Sequence, residues 1–85
     1  MSKVKIYTTQ YCPFCIRIKK LFDKKKIIYT EIDLSVNPEQ FEEMVIKSNG
    51  ARTVPQVFIN NKHIGDCDYT HQLDQKGELD KILNI

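Results

Sequence analysis

Between residues 4 and 33 the chain reads strand, helix, strand, and that order limits the fold more than any other feature of the sequence. Val4-Lys5-Ile6-Tyr7-Thr8 is a short run suited to a strand, and Thr9-Gln10-Tyr11 is a turn. A helix then starts at Pro13, where a proline in the first turn costs no backbone donor. Cys15, Ile18, Leu21 and Phe22 fall at helical spacing and make the apolar stripe of a helix laid on a sheet. Residues 27–33, rich in β-branched and aromatic side chains, read as the second strand. Two strands joined by a helix lie parallel through a right-handed crossover.

Cys12-Pro13-Phe14-Cys15 sits at the junction of the first strand and its helix. Cys12 falls at the helix N-cap, where the first N–H groups lack intrahelical partners and the positive end of the helix favours a thiolate over a thiol. Such a sulfur is a nucleophile toward disulfides. Cys15 lies one turn further in and faces the core, within reach of Cys12, so it is the natural resolving thiol for a mixed disulfide formed there. A zinc site would need four ligands, and only Cys67, His63 and His71 are left to complete one, without a second C-x-x-C or paired histidines. A purely structural disulfide would close too short a loop to restrict the unfolded chain.

The rest of the chain continues the pattern. Asn37 is placed to cap a helix opened by Pro38, with Gln40 at the reciprocal capping-box position and Phe41, Met44, Val45 and Ser48 facing inward until Gly50. Residues 56–60 and 62–64, separated by Asn60-Asn61, form an antiparallel hairpin. Gly65-Asp66-Cys67-Asp68 opens a helix to about Gln75, and Gly77 separates a final amphipathic segment with Leu79, Ile82 and Leu83. Lys19, Lys20, Lys24, Lys25 and Lys26 read as a solvated basic end of the first helix. The whole is an α/β sandwich with helices on both sheet faces.

Eighty-five residues suffice for one core, so residues 1–85 are read as one domain. A formal charge of +2 is too mild to argue for a nucleic-acid partner, and none is expected; no apolar run approaches the ~20 residues a bilayer requires. The first residues lack an apolar export segment, and three cysteines suit a reducing compartment; the expected location is cytoplasmic.

Three separated motifs now carry a resemblance that spans essentially the full length: Cys12-Pro13-Phe14-Cys15, Gly50-Ala51-Arg52-Thr53-Val54-Pro55, and Gly65-Asp66-Cys67-Asp68. Their order and spacing resemble the classical dithiol glutaredoxins. The resemblance implies a thioredoxin fold, a four-stranded mixed sheet (βαβ then ββα) with helices on both faces. It also implies a thiol–disulfide oxidoreductase that uses glutathione as reducing co-substrate, needs no metal, and works as a monomer. By the same resemblance Cys12 and Cys15 are catalytic, and glutathione is held by Phe14, Thr53, Val54, Pro55, Cys67 and Asp68, with the Val54-Pro55 bond cis beside the cysteines. The substrates implied are disulfide-containing or glutathionylated proteins, whether ribonucleotide reductase, a peroxidase or another.

Several of these positions also have a physical reading. The residue before a proline is extended, which leaves the Val54 N–H and C=O to pair with an extended peptide such as glutathione. Asp68 belongs to a helix N-terminus suited to a carboxylate, either as its N-cap or as a partner for an ammonium group. Cys67 is expected as a buried small hydrophobe whose backbone matters more than its sulfur. The chain departs from the family pattern at Thr9, where a lysine is common, at Phe14, where a tyrosine is common, and at Asp66, the second residue of a usual Gly-Gly pair. Arg52 and Lys47 are the candidate cations to replace the lysine. Two other functions remain open: a redoxin reduced by thioredoxin reductase, and an iron–sulfur carrier in which two chains share a cluster through Cys12 and glutathione.

Overall fold

A computed structural model describes residues 2–85. Its elements are β1 (Val4–Thr8), α1 (Pro13–Lys24), β2 (Tyr29–Asp33), a 3-10 turn (Pro38–Gln40), α2 (Phe41–Lys47), β3 (Gln56–Ile59), β4 (Lys62–Gly65), α3 (Cys67–Gln75) and α4 (Glu78–Leu83). The four strands form one mixed sheet in the order β2-β1-β3-β4. β1 runs parallel to β2 in the register Val4↔Tyr29 to Thr8↔Asp33, and antiparallel to β3, with Ile6 opposite Val57. The parallel pairing of β1 with β2 and the antiparallel β3–β4 hairpin are both as expected. The hairpin turn takes Asn60 and Asn61 at φ 52° and 66°, the paired left-handed conformations that asparagine tolerates.

Alternation along β1 divides the core between the two faces. Val4 and Ile6 join Ile18, Leu21 and Phe22 of α1, Val57 and Ile59 of β3, Leu73 of α3, and Leu79 and Leu83 of α4. Tyr7 and Phe58 turn the other way and pack with Met44 of α2 and with Leu34. Phe22, Ile18 and Met44 are fully buried, each worth roughly 1.5–3 kcal/mol in transfer from water. Leu79 and Leu83, four apart, are the buried positions of α4, whereas Ile82 stays 37% exposed at its edge. Lys25 ties the C-terminal end of α1 to α3 and α4, its Nζ lying 2.6 Å from both Asp74 Oδ1 and Asp80 Oδ1.

Two local expectations are corrected. Asn37 makes no capping bond: its side chain donates back to the Asp33 carbonyl at 3.3 Å, a tight 3-10 turn occupies Pro38–Gln40, and α2 begins only at Phe41. No capping box forms with Gln40. The second strand starts two residues late, because the Ile27 N–H is used by the Phe22 carbonyl at 3.0 Å to close α1 after Lys26 turns left-handed at φ 58°.

Candidate active site

β1 delivers the chain to the site, and Tyr11, at φ 58°, turns it into α1. Cys12 is the N-cap: its backbone is extended (φ −107°, ψ 105°) and its Sγ accepts the Cys15 N–H at 3.2 Å. That hydrogen bond finishes the first turn of α1, and Cys12 is partly exposed to incoming disulfides. Cys15 is 1% exposed, and its thiol is pushed up to about 12 by burial first and by its hydrogen bond with Cys12 second. A hydrogen bond from the Thr9 backbone and the charge of Lys19 act in the opposite direction. One turn of helix therefore carries an accessible sulfur and a buried, protonated one.

On the other side of the dithiol turn, Phe14, Thr53, Val54, Pro55, Asp66, Cys67 and Asp68 line one cleft of about 280 Å³. All six residues expected to hold glutathione are there, drawn from α1, the loop before β3, and the start of α3. The Val54-Pro55 bond is cis. Among the described residues no loop or turn hydrogen bond uses the Val54 N–H or C=O. The loop is held instead through Gln56, a buried amide whose Nε2 donates to the Thr53 carbonyl at 3.1 Å while its Oε1 lies 2.6 Å from His63 Nε2.

At the α3 start the N-cap is Asp66, whose Oδ1 accepts the Tyr69 N–H at 2.9 Å; Asp68 is the second residue of the helix, so it is not the cap. The Asp68 side chain is 71% exposed and faces Arg17, whose Nη1 lies 4.0 Å from Oδ1 and whose guanidinium sits 5.8 Å from the Phe14 ring centroid. Cys67 is 2% exposed within the core cluster, and burial pushes its thiol up. A larger groove of about 650 Å³ beside Lys3 and Ile28 lies at the other end of β1, away from both cysteines.

Neither candidate cation lines the cleft. Lys47 is paired with Glu43 at 2.6 Å, and Arg52 stacks 5.1 Å from the Phe41 ring centroid. Three residues with a place near the site were not singled out from sequence for it: Arg17, Gln56 and Glu31. Lys19 was read as solvated, yet its Nζ donates to Glu31 Oε2 at 3.0 Å with the side chain only 29% exposed. A polar Gln56 beside Pro55 in an otherwise apolar strand was the available signal for the loop brace. Among the described residues no group of three or more His, Cys, Asp or Glu is arranged to hold a metal ion.

A parallel βα unit presenting a capped dithiol, followed by a cis-proline hairpin and a closing helix, defines a thioredoxin-fold thiol–disulfide protein. The glutaredoxin family model matches residues 4–64, and the chain belongs to that family, whose members are thiol–disulfide oxidoreductases. It is 49% identical over 79 residues to glutaredoxin 1 of Rickettsia prowazekii, covering 92% of this chain and 83% of that one. It is 45% identical over 83 residues to glutaredoxin 3 of Escherichia coli K12, covering 98% and 99%. The crystal structure of the buckwheat glutaredoxin–glutathione complex superposes with a TM-score of 0.87 at 34% identity, over 98% of this chain and 77% of that one. Among the described residues no helix is long and apolar enough to cross a membrane.

Proposed function

We propose that this chain is a glutathione-dependent, cytoplasmic, monomeric dithiol oxidoreductase that reduces protein disulfides and glutathione mixed disulfides. Its substrates are disulfide-containing or glutathionylated proteins, a reductive enzyme such as ribonucleotide reductase among them. The observation that carries the reading is the convergence of Phe14, Thr53, Val54, Pro55, Cys67 and Asp68 on one cleft beside the dithiol turn. A relative of the same fold is known as a complex with glutathione.

The geometry supports a definite division of labour. The Cys12 thiolate attacks a protein–glutathione disulfide, forming a Cys12–glutathione bond and releasing the protein thiol. A second glutathione thiolate attacks the glutathione sulfur, which returns Cys12 and yields oxidised glutathione. With a protein disulfide, Cys12 takes one sulfur, and Cys15 then displaces the protein to close Cys12–Cys15, which two glutathiones reopen. The free Val54 N–H and C=O pair with the glutathione backbone as a short added strand. Asp68, exposed in the first turn of α3, takes its ammonium group.

Turnover of a small glutathione mixed disulfide, coupled to glutathione reductase, tests the reading. Cys12→Ser abolishes all activity, whereas Cys15→Ser loses reduction of protein disulfides and keeps most deglutathionylation. Turnover supported by thioredoxin reductase and not by glutathione refutes the assignment, and equal loss in both variants refutes the role of Cys15.

A further inference from the structure

Cys15 and Lys19 are four residues apart on α1, one turn above the other on the same face, a spacing that puts their Cβ atoms about 5–6 Å apart. Opposite them, on the adjacent strands, Glu31 Oε2 accepts the Thr8 hydroxyl at 2.7 Å and the Lys19 ammonium at 3.0 Å. Both donors use one carboxylate oxygen, so the ammonium is held at a fixed place below the dithiol. Cys12, Cys15, Lys19, Glu31 and Asp33 line one hollow of about 500 Å³ on the side of Cys12 away from the glutathione cleft. Lys19 is the one cation among the described residues lining it, against the carboxylates of Glu31 and Asp33.

We propose that Lys19, held by Glu31, is a positioning residue for the resolving step: it favours the thiolate that Cys15 must become to displace the group bound at Cys12. The proposal rests on Cys15 being the resolving thiol. In that step the Cys15 sulfur bonds to Cys12 as the Cys12–substrate S–S bond breaks, and the proton from Cys15 ends on the departing thiolate. No external oxidant or reductant enters. The step needs help because Cys15 is buried and protonated, and Lys19 is the nearby positive charge acting against that burial. The charged and titratable groups around Cys15 are Cys12 and Lys19 on α1 and Glu31, Asp33 and Tyr29 on β2, with the Cys67 thiol on α3 close to Cys12. Two carboxylates alone would oppose a second thiolate in the hollow. The Lys19 ammonium, held on Glu31, sets a positive charge against them in the same hollow.

The alternative is a brace between α1 and β2 with no part in the chemistry. Rapid mixing of the reduced chain with oxidised glutathione, followed by acid quench and mass spectrometry, resolves the Cys12–glutathione adduct from the closed disulfide. Lys19→Met is expected to slow closure relative to adduct formation by about tenfold at pH 7, one unit of thiol ionisation, and to move the pH profile of closure upward. Glu31→Gln gives a smaller shift, and Lys19→Arg restores closure. Wild-type closure in Lys19→Met, equal slowing of both steps, or slower closure with an unmoved pH profile and a lowered urea midpoint each overturns the proposal. If Cys15→Ser reduces protein disulfides as well as the wild type does, the resolving role itself fails, which is a separate result.

Discussion

Asp66→Asn separates two effects that meet at one side chain. The aspartate caps α3 through Oδ1 and, in the same place, puts a negative charge on the cleft where the resemblance expects glutathione, a ligand with two carboxylates and one ammonium group. Asparagine caps a helix about as well as aspartate, so the variant keeps the hydrogen bond to Tyr69 N–H and removes only the charge. Asp66 is exposed, so its field is screened by water: two unit charges at about 4 Å interact by ~1 kcal/mol in that medium. That is roughly fivefold in affinity, from the ~1.4 kcal/mol that makes tenfold. We expect kcat/KM for a glutathione mixed disulfide to rise two- to fivefold at low ionic strength, chiefly through KM, and the gain to shrink at 0.15 M salt, where the Debye length is ~8 Å. Asp68→Asn, which removes the proposed ammonium partner, moves kcat/KM the other way, and the unfolding free energy of Asp66→Asn in urea stays within ~0.5 kcal/mol of the wild type. A gain of the same size at high salt, or none at low salt, refutes the electrostatic reasoning.

Two further outcomes follow from the buried groups. In Cys12→Ser the burial of Cys15 remains, so its alkylation by iodoacetamide, followed by peptide mapping, should rise with pH well past the ~8.5 of an ordinary thiol; a plateau near pH 9 would contradict the structure. Hydrogen bonds from Lys25 to Asp74 and then to Asp80 raise the Lys25 ammonium above its usual range. A group raised on folding contributes stability that is fully present below its unfolded value of about 10.4 and is lost as pH climbs through the folded one. Lys25→Met is therefore expected to cost about 1–2 kcal/mol by urea unfolding at pH 7 and to flatten the fall in stability above pH 10; an unchanged alkaline limb would place the loss elsewhere.

Much of this arrangement was legible from local chemistry. The strand–dithiol–helix order, the inward face of α1 and the asparagine turn each depend on residues close together in the chain, and the sheet then follows from chain connectivity. The misread ends were contests between neighbouring donors and acceptors. Ile27 looks like strand, but its N–H closes α1, and Asp66 caps α3 because it, and not Asp68, precedes the first helical residue. The Lys19–Glu31 pair was out of reach for another reason. Twelve residues separate the two, and they meet only because the parallel register sets Glu31 beside Ile6 with its side chain turned toward α1, next to Thr8. A lysine on an exposed-looking helix face carries no mark of that register.

The nucleophile proposed for this chain is also the residue that closes the first turn of its own helix. While Cys12 is free its sulfur accepts the Cys15 N–H and finishes the start of α1, and each bond formed on that sulfur weakens it as an acceptor. Folding free energy is thereby written into the redox couple. If the difference is that of an ordinary cap, about 1 kcal/mol, it amounts to roughly 20 mV in a two-electron potential. A helix better finished in the reduced state stabilises the dithiol, so a capped pair is expected to oxidise glutathione more readily than an uncapped one.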